Sequence, residues 1–168
     1  KACLSPGNPG NALDHPPFNE RIYKMSRLDS FINRLTAQRD ILNHIRDNAM
    51  LPDGGAILEL GLGNGRTFNH LREIHPDRRI IVFDRAVAAH KSSIPEEKDI
   101  VLGEIATTAG NFRGQNAAMV HADIGQGYPE ADAITLEWLP DMTADLLAPG
   151  GIAVSGLPLD HPNLTQLP

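Results

Sequence analysis

The longest amphipathic pattern in the chain lies in its first third. Apolar side chains recur there at helical spacing, with polar and charged side chains between them, at Leu28, Phe31, Ile32, Leu35, Leu42, Ile45 and Ala49. This spacing predicts an amphipathic helix that buries one face. Ser26 precedes the pattern and Asp29 follows three residues later, which predicts a capping box at the helix start. Pro52, Gly54 and Gly55 are expected to end the helix.

Beyond this helix, short apolar runs alternate with helical patterns. The runs are typical of strands buried on both faces. They span residues 56–60, 79–84, 99–103, 117–122 and 152–155. Helices are predicted between them over residues 66–75, 105–115 and 131–147. In the last of these, Ile134 and Trp138 are expected to be buried, and Pro140 is expected to kink or restart the helix.

The order of these elements predicts the fold class. Alternating strands and helices favour an α/β fold, a Rossmann-like three-layer αβα sandwich with a mostly parallel sheet, preceded by the N-terminal amphipathic helix. Residues 1–24, rich in Pro and Gly, are expected to form an irregular arm, and residues 25–168 a single domain. Ligand sites in such sheets lie at the carboxyl ends of the strands.

Composition excludes several classes of function. The formal net charge of -6 repels phosphate backbones and anionic membranes, so a nucleic-acid partner is disfavoured. Cys3 is the only cysteine, which rules out an internal disulfide, and the histidines lack metal-ligand spacing, so no metal site is expected. No apolar run approaches the roughly 20 residues needed to cross a bilayer, and no signal peptide is evident, so we expect a cytoplasmic protein.

A glycine-rich segment lies between the first predicted strand and the helix that follows it. The segment reads Glu-Leu-Gly-Leu-Gly-Asn-Gly-Arg-Thr over residues 59–67. Glycines at the start of a helix let backbone amides approach a ligand without an intervening Cβ. A dinucleotide fingerprint has the spacing Gly-x-Gly-x-x-Gly, and counting from Gly61 places Arg66 where its third glycine belongs. The spacing of the glycines therefore disfavours NAD as the cofactor.

The pattern acid-x-Gly-x-Gly-x-Gly resembles motif I of the class I S-adenosylmethionine-dependent methyltransferases. In that family the leading acid, here Glu59, orients the methionine part of the cofactor. The resemblance implies that Asp84 takes the ribose hydroxyls, that Glu104 lies near the adenine amino group, and that the catalytic Asp123 orients or deprotonates the acceptor. The cofactor-binding residues implied in this way are Glu59, Gly61, Leu62, Gly63, Asn64, Gly65, Asp84, Arg85 and Glu104.

The longer string over residues 59–67, with Val-Phe-Asp-Arg-Ala after it, is similar to a small bacterial subgroup of uncharacterised methyltransferases. The likeness covers roughly residues 25–160. It implies transfer of a methyl group from S-adenosylmethionine to a small-molecule acceptor, with S-adenosylhomocysteine as product. Only residues 156–168 remain where the family adds a sixth and a seventh strand, so the sheet is expected to be incomplete. This shortfall, together with the missing initial Met, leaves open whether the chain is a fragment.

Other interpretations remain open for several residues. Asp84 also suits a role as a helix N-cap or surface acid, Glu104 follows a less certain strand, and Asp123 also suits a loop acid that caps the following turn. His121, within a predicted strand, is expected to be a core histidine rather than a catalytic base. The segment His15-Pro16-Pro17-Phe18 is only weakly similar to the Asp/Asn-Pro-Pro-aromatic box of methyltransferases that act on the amino groups of bases, because His15 replaces the residue that accepts from that amino group. Two other functions are a non-catalytic module that binds the cofactor or an adenosine ligand, and a nucleotide-dependent oxidoreductase.

Overall fold

A computed structural model describes residues 26–167; the predicted arm of residues 1–24 and the proline segment at 15–18 lie outside this range. Over this range the chain forms five α-helices and five strands, and it begins with a helix. In chain order they are α1 (Arg27–Asp47), β1 (Ile57–Leu60), α2 (Arg66–Ile74), β2 (Ile80–Asp84), β3 (Ile100–Leu102), α3 (Ile105–Thr108), β4 (Ala117–Ala122), α4 (Pro129–Leu136), α5 (Leu139–Leu146) and β5 (Leu147–Ser155).

The strands form one sheet in the order β3-β2-β1-β4-β5, and every neighbouring pair is parallel. Apolar side chains on its two faces belong to two separate clusters. One cluster joins the sheet to α1 and α2, and the other joins it to α3, α5 and the 3-10 turn at residues 109–112. The predicted Rossmann-like sandwich is therefore confirmed. Among residues 26–167 the sheet ends at β5, without a sixth or seventh strand.

Successive strands are added to opposite sides of β1, so the strand order changes direction between β1 and β4. From β1 it proceeds outward through β2 to β3, then returns to the other side of β1 to form β4 and β5. Such a switch point opens a crevice at the carboxyl ends of the two central strands. The glycine-rich turn follows β1 and Asp123 follows β4, so the topology brings both to the mouth of this crevice.

The first helix begins as predicted but differs from prediction in two respects. The Ser26 hydroxyl accepts from the Asp29 amide at 3.0 Å, and the Asp29 carboxylate accepts from the Ser26 amide at 3.3 Å, which completes the capping box. The helix ends at Asp47, before Pro52, because Ala49 takes a left-handed φ of 49° and ends the α-helical turn. Ala49 is consequently exposed.

The expected apolar face of α1 is buried only in its second half. Leu42 and Ile45 belong to the core, whereas Leu28, Phe31 and Ile32 are 66%, 43% and 50% exposed. The cause is the placement of the helix. Its middle lies beside the end of β4, so its first turns extend past the carboxyl edge of the sheet and away from the core.

The region of residues 129–155 confirms one expectation and corrects three, for Ile134, for Trp138 and for the start of the last strand. Pro140 restarts the helix, because α4 ends at Leu136 and α5 carries Pro140 in its first turn, where no backbone N–H is required. Ile134 is 65% exposed, and Trp138 is only half-buried. Strand β5 begins at Leu147, earlier than predicted, because a register irregularity opposite β4 allows Leu147 to pair with Ala117.

Candidate functional site

A cavity of about 760 Å³ opens at the carboxyl ends of the central strands. Most residues that the sequence singled out lie around it. The predicted residues in its lining are Glu59, Gly61, Leu62, Gly63, Asn64, Asp84, Arg85, Glu104 and Asp123. Gly65 lies outside this lining, at the end of the turn where α2 begins.

The three glycines of the turn have different surroundings. Their φ angles are +95° at Gly61, +48° at Gly63 and +78° at Gly65, all in the region that favours glycine. A Cβ on Gly65 would lie 2.7 Å from the Ser93 Cβ and 2.8 Å from the Ser93 carbonyl oxygen. A Cβ on Gly63 would meet no heavy atom within 4 Å. Gly65 is therefore required for packing, whereas Gly63 leaves a side of the cavity open for close approach.

Asp84, at the end of β2, holds the glycine-rich turn in place. One carboxylate oxygen accepts from the amides of Leu62 and Gly63 at 2.8 and 3.0 Å, and the other accepts from those of Arg85 and Ala86 at 2.6 and 3.3 Å. Partial burial acts to raise the pKa of Asp84, but the four amides outweigh it and lower the pKa below the ordinary 3.8. The carboxylate thus joins the tip of β2 to the turn after β1.

Asp84→Asn is expected to lower the free energy of unfolding by about 1–3 kcal/mol at pH 7, because an amide nitrogen cannot accept from two of these backbone groups. The lowered pKa means that the carboxylate stabilises the fold fully above pH 3.8 and loses this effect as pH falls through the native pKa. Urea unfolding at pH 7 and below pH 3.8 measures both effects. Glu104→Gln, in an exposed ion pair, is the control and should change stability little. Equal stability of both variants would contradict the role given to Asp84.

Glu59 lies beneath the cavity in a buried pair with His121. The two residues are paired across β1 and β4, and their side chains are 2% and 1% exposed. Glu59 Oε2 lies 2.8 Å from His121 Nδ1, and neither atom has another partner among the described residues. On the other side of the ring, the Gln38 amide nitrogen lies 2.8 Å from His121 Nε2. His121 therefore connects α1 with the acid that leads the glycine-rich turn.

Burial alone acts to lower the pKa of His121. The Glu59 carboxylate opposes this through its charge and its contact with the ring, and Asp123 adds to the same effect. The pKa of His121 is raised above 6.5 as a result. The expectation of a core histidine is correct as to burial, and the structure adds a charged partner that the sequence pattern did not indicate.

Asp123 is bound by an arginine from the first helix. The Arg34 Nη1 atom lies 2.6 and 2.5 Å from the two carboxylate oxygens of Asp123. The Arg34 side chain is 48% exposed, and that of Asp123 is 22% exposed. The Arg34 guanidinium also lies 5.7 Å from the centre of the Phe31 ring. This pair connects α1 to the end of β4 within the lining of the cavity.

Glu104 and Arg85 form a more exposed pair at the far side of the cavity. Arg85 Nη2 lies 3.0 Å from Glu104 Oε2, with side chains 72% and 64% exposed. Both line the cavity, so the structure brings them beside Asp84. Their solvent-exposed charges contribute little to stability, which leaves them free to rearrange around a ligand.

Sequence motifs did not indicate the wall of the cavity that lies across from the glycine-rich turn. It contains residues from α1 and from the region of α4 and α5, namely Phe31, Arg34, Leu35, Ile134, Thr135 and Trp138. Part of this wall was detectable, because Phe31, Arg34, Leu35 and Gln38 are three and four residues apart and share one helix face. Nothing in the sequence indicated that this face projects beyond the sheet.

Over residues 26–167, no group of three or more His, Cys, Asp or Glu side chains is arranged to hold a metal ion. In the same range, no helix has both the length and the apolar character needed to span a bilayer.

A parallel sheet with a glycine-rich turn after β1 and an acid at the end of β2 defines a Rossmann-like protein that binds a nucleoside cofactor. Residues 25–168 match the family described as S-adenosyl-L-methionine methyltransferase. The chain belongs to this family. It is accordingly an S-adenosylmethionine-dependent methyltransferase, as the resemblance of its glycine-rich turn predicts.

Solved structures include a similar protein, the S-adenosyl-L-methionine methyl transferase from Silicibacter pomeroyi DSS-3. It is 39% identical, with a TM-score of 0.76, and the match covers 85% of this chain and 89% of that one. A putative type II methyltransferase from Anaeromyxobacter dehalogenans is 17% identical, with a TM-score of 0.45 and coverage of 71% and 48%. An O-methyltransferase family protein from Burkholderia thailandensis is 14% identical, with a TM-score of 0.47 and coverage of 78% and 44%. A comparison with curated proteins gives no significant match.

Proposed function

We propose that the cavity binds S-adenosylmethionine against the glycine-rich turn. The protein then transfers the methyl group of the cofactor to a small molecule that enters beside α1. The observation that carries this proposal is the open side of Gly63, which faces a cavity between the tips of β1, β2 and β4. The volume of about 760 Å³ lies within the range of roughly 300–1,000 Å³ typical of small-molecule sites. The net charge of -6 favours a small acceptor over a nucleic acid.

The residues in the cavity suit the cofactor chemically. Glu59 lines the cavity, and its Oε1 atom makes no hydrogen bond within the described residues, so it can accept from the ammonium group of the methionine part. Asp84 lines the cavity at the end of β2, and its carboxylate can bind a vicinal diol by exchanging some of its backbone amide hydrogen bonds for hydroxyl groups. Arg85 and Glu104 lie beside it for the rest of the nucleoside. Acidic side chains also suit the positive charge of the sulfonium group.

When bound, the cofactor supplies an electrophilic methyl group on a sulfonium centre. The protein contributes chiefly by holding an acceptor in line with that methyl group, because alignment alone can account for much of the acceleration. We assign Asp123 to orientation of the acceptor. Its carboxylate lies at the end of β4 and is fixed by Arg34, which gives a hydrogen-bond acceptor in a defined position.

Isothermal titration with S-adenosylmethionine, S-adenosylhomocysteine and NADH tests the proposed site. We expect both sulfur ligands to bind and NADH to give no heat, because the glycine spacing departs from the dinucleotide fingerprint. Binding of NADH without binding of the sulfur ligands would overturn the proposal. Release of S-adenosylhomocysteine over a panel of small acceptors then tests turnover, and persistent silence despite cofactor binding would favour the non-catalytic module.

A further inference from the structure

The wall of the cavity formed by α1 and the α4–α5 region combines apolar surface with one cation. Phe31 is 43% exposed and Ile134 is 65% exposed, although both are large apolar residues, and Trp138 is half-buried. Arg34 lies among them in the lining of the same cavity. A flat apolar body with one anionic group would match this wall.

The guanidinium of Arg34 is only partly used by its contact with Asp123. Both hydrogen bonds to the carboxylate come from Nη1, so the N–H groups on Nε and Nη2 have no acceptor among the described residues. These groups form an edge of the planar guanidinium, whose geometry matches a carboxylate in a bidentate contact. Since the side chain is 48% exposed and lines the cavity, a bound anion can reach it.

The other arginines of the cavity are placed differently. Arg85 is engaged with Glu104 on the far side. Arg66 begins α2 directly after the glycine-rich turn, on the side where the cofactor is proposed to bind. Arg34 is therefore the arginine of the lining that contacts Asp123, the residue proposed to orient the acceptor.

We propose that the methyl acceptor is a small aromatic carboxylate, whose carboxylate binds the Nε and Nη2 edge of Arg34 and whose ring packs against Phe31 and Trp138. This inference rests on the proposed function of the same cavity. A monoanionic carboxylate is favoured over a phosphate because a phosphate dianion would place two negative charges beside Asp123. Arg34 is then a specificity-determining residue, and Asp123 keeps it in a fixed orientation.

Titration calorimetry of the full chain saturated with S-adenosylhomocysteine tests this inference by binding alone. The probes are benzoate, 4-hydroxybenzoate and indole-3-acetate, each with its neutral amide, and phenyl phosphate. We expect at least one acid to bind about tenfold or more tightly than its amide, which corresponds to about 1.4 kcal/mol. Arg34→Gln should abolish this preference and Arg34→Lys should retain part of it. The matched control Arg39→Gln, on the same helix but outside the cavity lining, should leave it unchanged.

Three results would overturn the inference: no acid binds, acid and amide bind equally, or the preference persists in Arg34→Gln. Tighter binding of phenyl phosphate than of every carboxylate would also overturn it. Arg34→Gln must keep the thermal midpoint and the S-adenosylhomocysteine affinity of the parent protein, and loss of that affinity would assign Arg34 to the cofactor and refute the inference. If the parent chain itself fails to bind S-adenosylhomocysteine, the proposed function is refuted, which distinguishes the two failures.

Discussion

Gly65→Ala is expected to destabilise the fold severely, whereas Gly63→Ala should fold and lose the cofactor. At Gly65 the added methyl group would lie 2.8 Å from a backbone oxygen, in a backbone conformation with φ +78°. A left-handed conformation costs roughly 1–2 kcal/mol for a residue with a Cβ, and overpacking adds about 1–3 kcal/mol. At Gly63 only the conformational cost applies, because the methyl group meets no atom of the protein.

Thermal unfolding and calorimetry with S-adenosylmethionine separate the two effects. For Gly63→Ala we expect a loss of affinity of about 100-fold or more, because the methyl group would occupy the space proposed for the cofactor, and this equals about 2.8 kcal/mol. Gly54→Ala is a matched control, since Gly54 also has a positive φ of +72° and open surroundings but lies outside the cavity lining. Normal cofactor affinity in Gly63→Ala would refute the placement of the cofactor against this turn.

His121→Gln is expected to lower the free energy of unfolding by about 3–5 kcal/mol near pH 6, because it leaves the buried Glu59 carboxylate without its charged partner. Removal of both the Glu59 and the His121 charge should lower the free energy of unfolding by less. We therefore expect the double variant Glu59→Gln/His121→Gln to recover part of the loss, as in a double-mutant cycle for a coupled pair. Urea unfolding of the parent, both single variants and the double variant measures the coupling, and strict additivity would refute the charged pair.

The pH dependence of the same pair has a definite sign. Because the pKa of His121 is raised in the folded protein, the ion pair stabilises the fold fully below pH 6.5 and loses this contribution as pH rises through the native pKa. The groups that contact or influence the ring are Glu59 from β1, Asp123 after β4 and Gln38 from α1. Stability of the parent should therefore decline above pH 6.5 relative to the double variant. Parallel pH profiles would contradict this assignment.

The sheet and the cofactor side of the site were predictable because each depends on local sequence. Buried parallel strands appear as short apolar runs, and the turn from Glu59 to Gly65 has a spacing that few other structures require. The position of Asp84 at a strand end follows from the same runs. Its contacts with the Leu62 and Gly63 amides could not be inferred, since they depend on how closely the tip of β2 approaches the neighbouring turn.

The acceptor side was not predictable because it depends on where one helix lies. The periodicity of α1 indicates which side chains share a face, but it does not state how far the helix extends beyond the sheet. Arg34 and Asp123 are 89 positions apart in sequence, and no motif links them. Burial was overestimated for Phe31 and Ile134 for the same reason, since an apolar residue beside a cavity has the same sequence pattern as one in the core.

The first half of α1 has a consequence for how this enzyme can diversify. Phe31 and Arg34 line the cavity there without joining either apolar cluster, so their identities are largely uncoupled from folding. The second half of the same helix anchors it through Leu42 and Ile45. Randomisation of positions 31 and 34 should therefore yield mostly folded proteins with altered substrate ranges, and evolution can explore new acceptors there while the sheet remains unchanged.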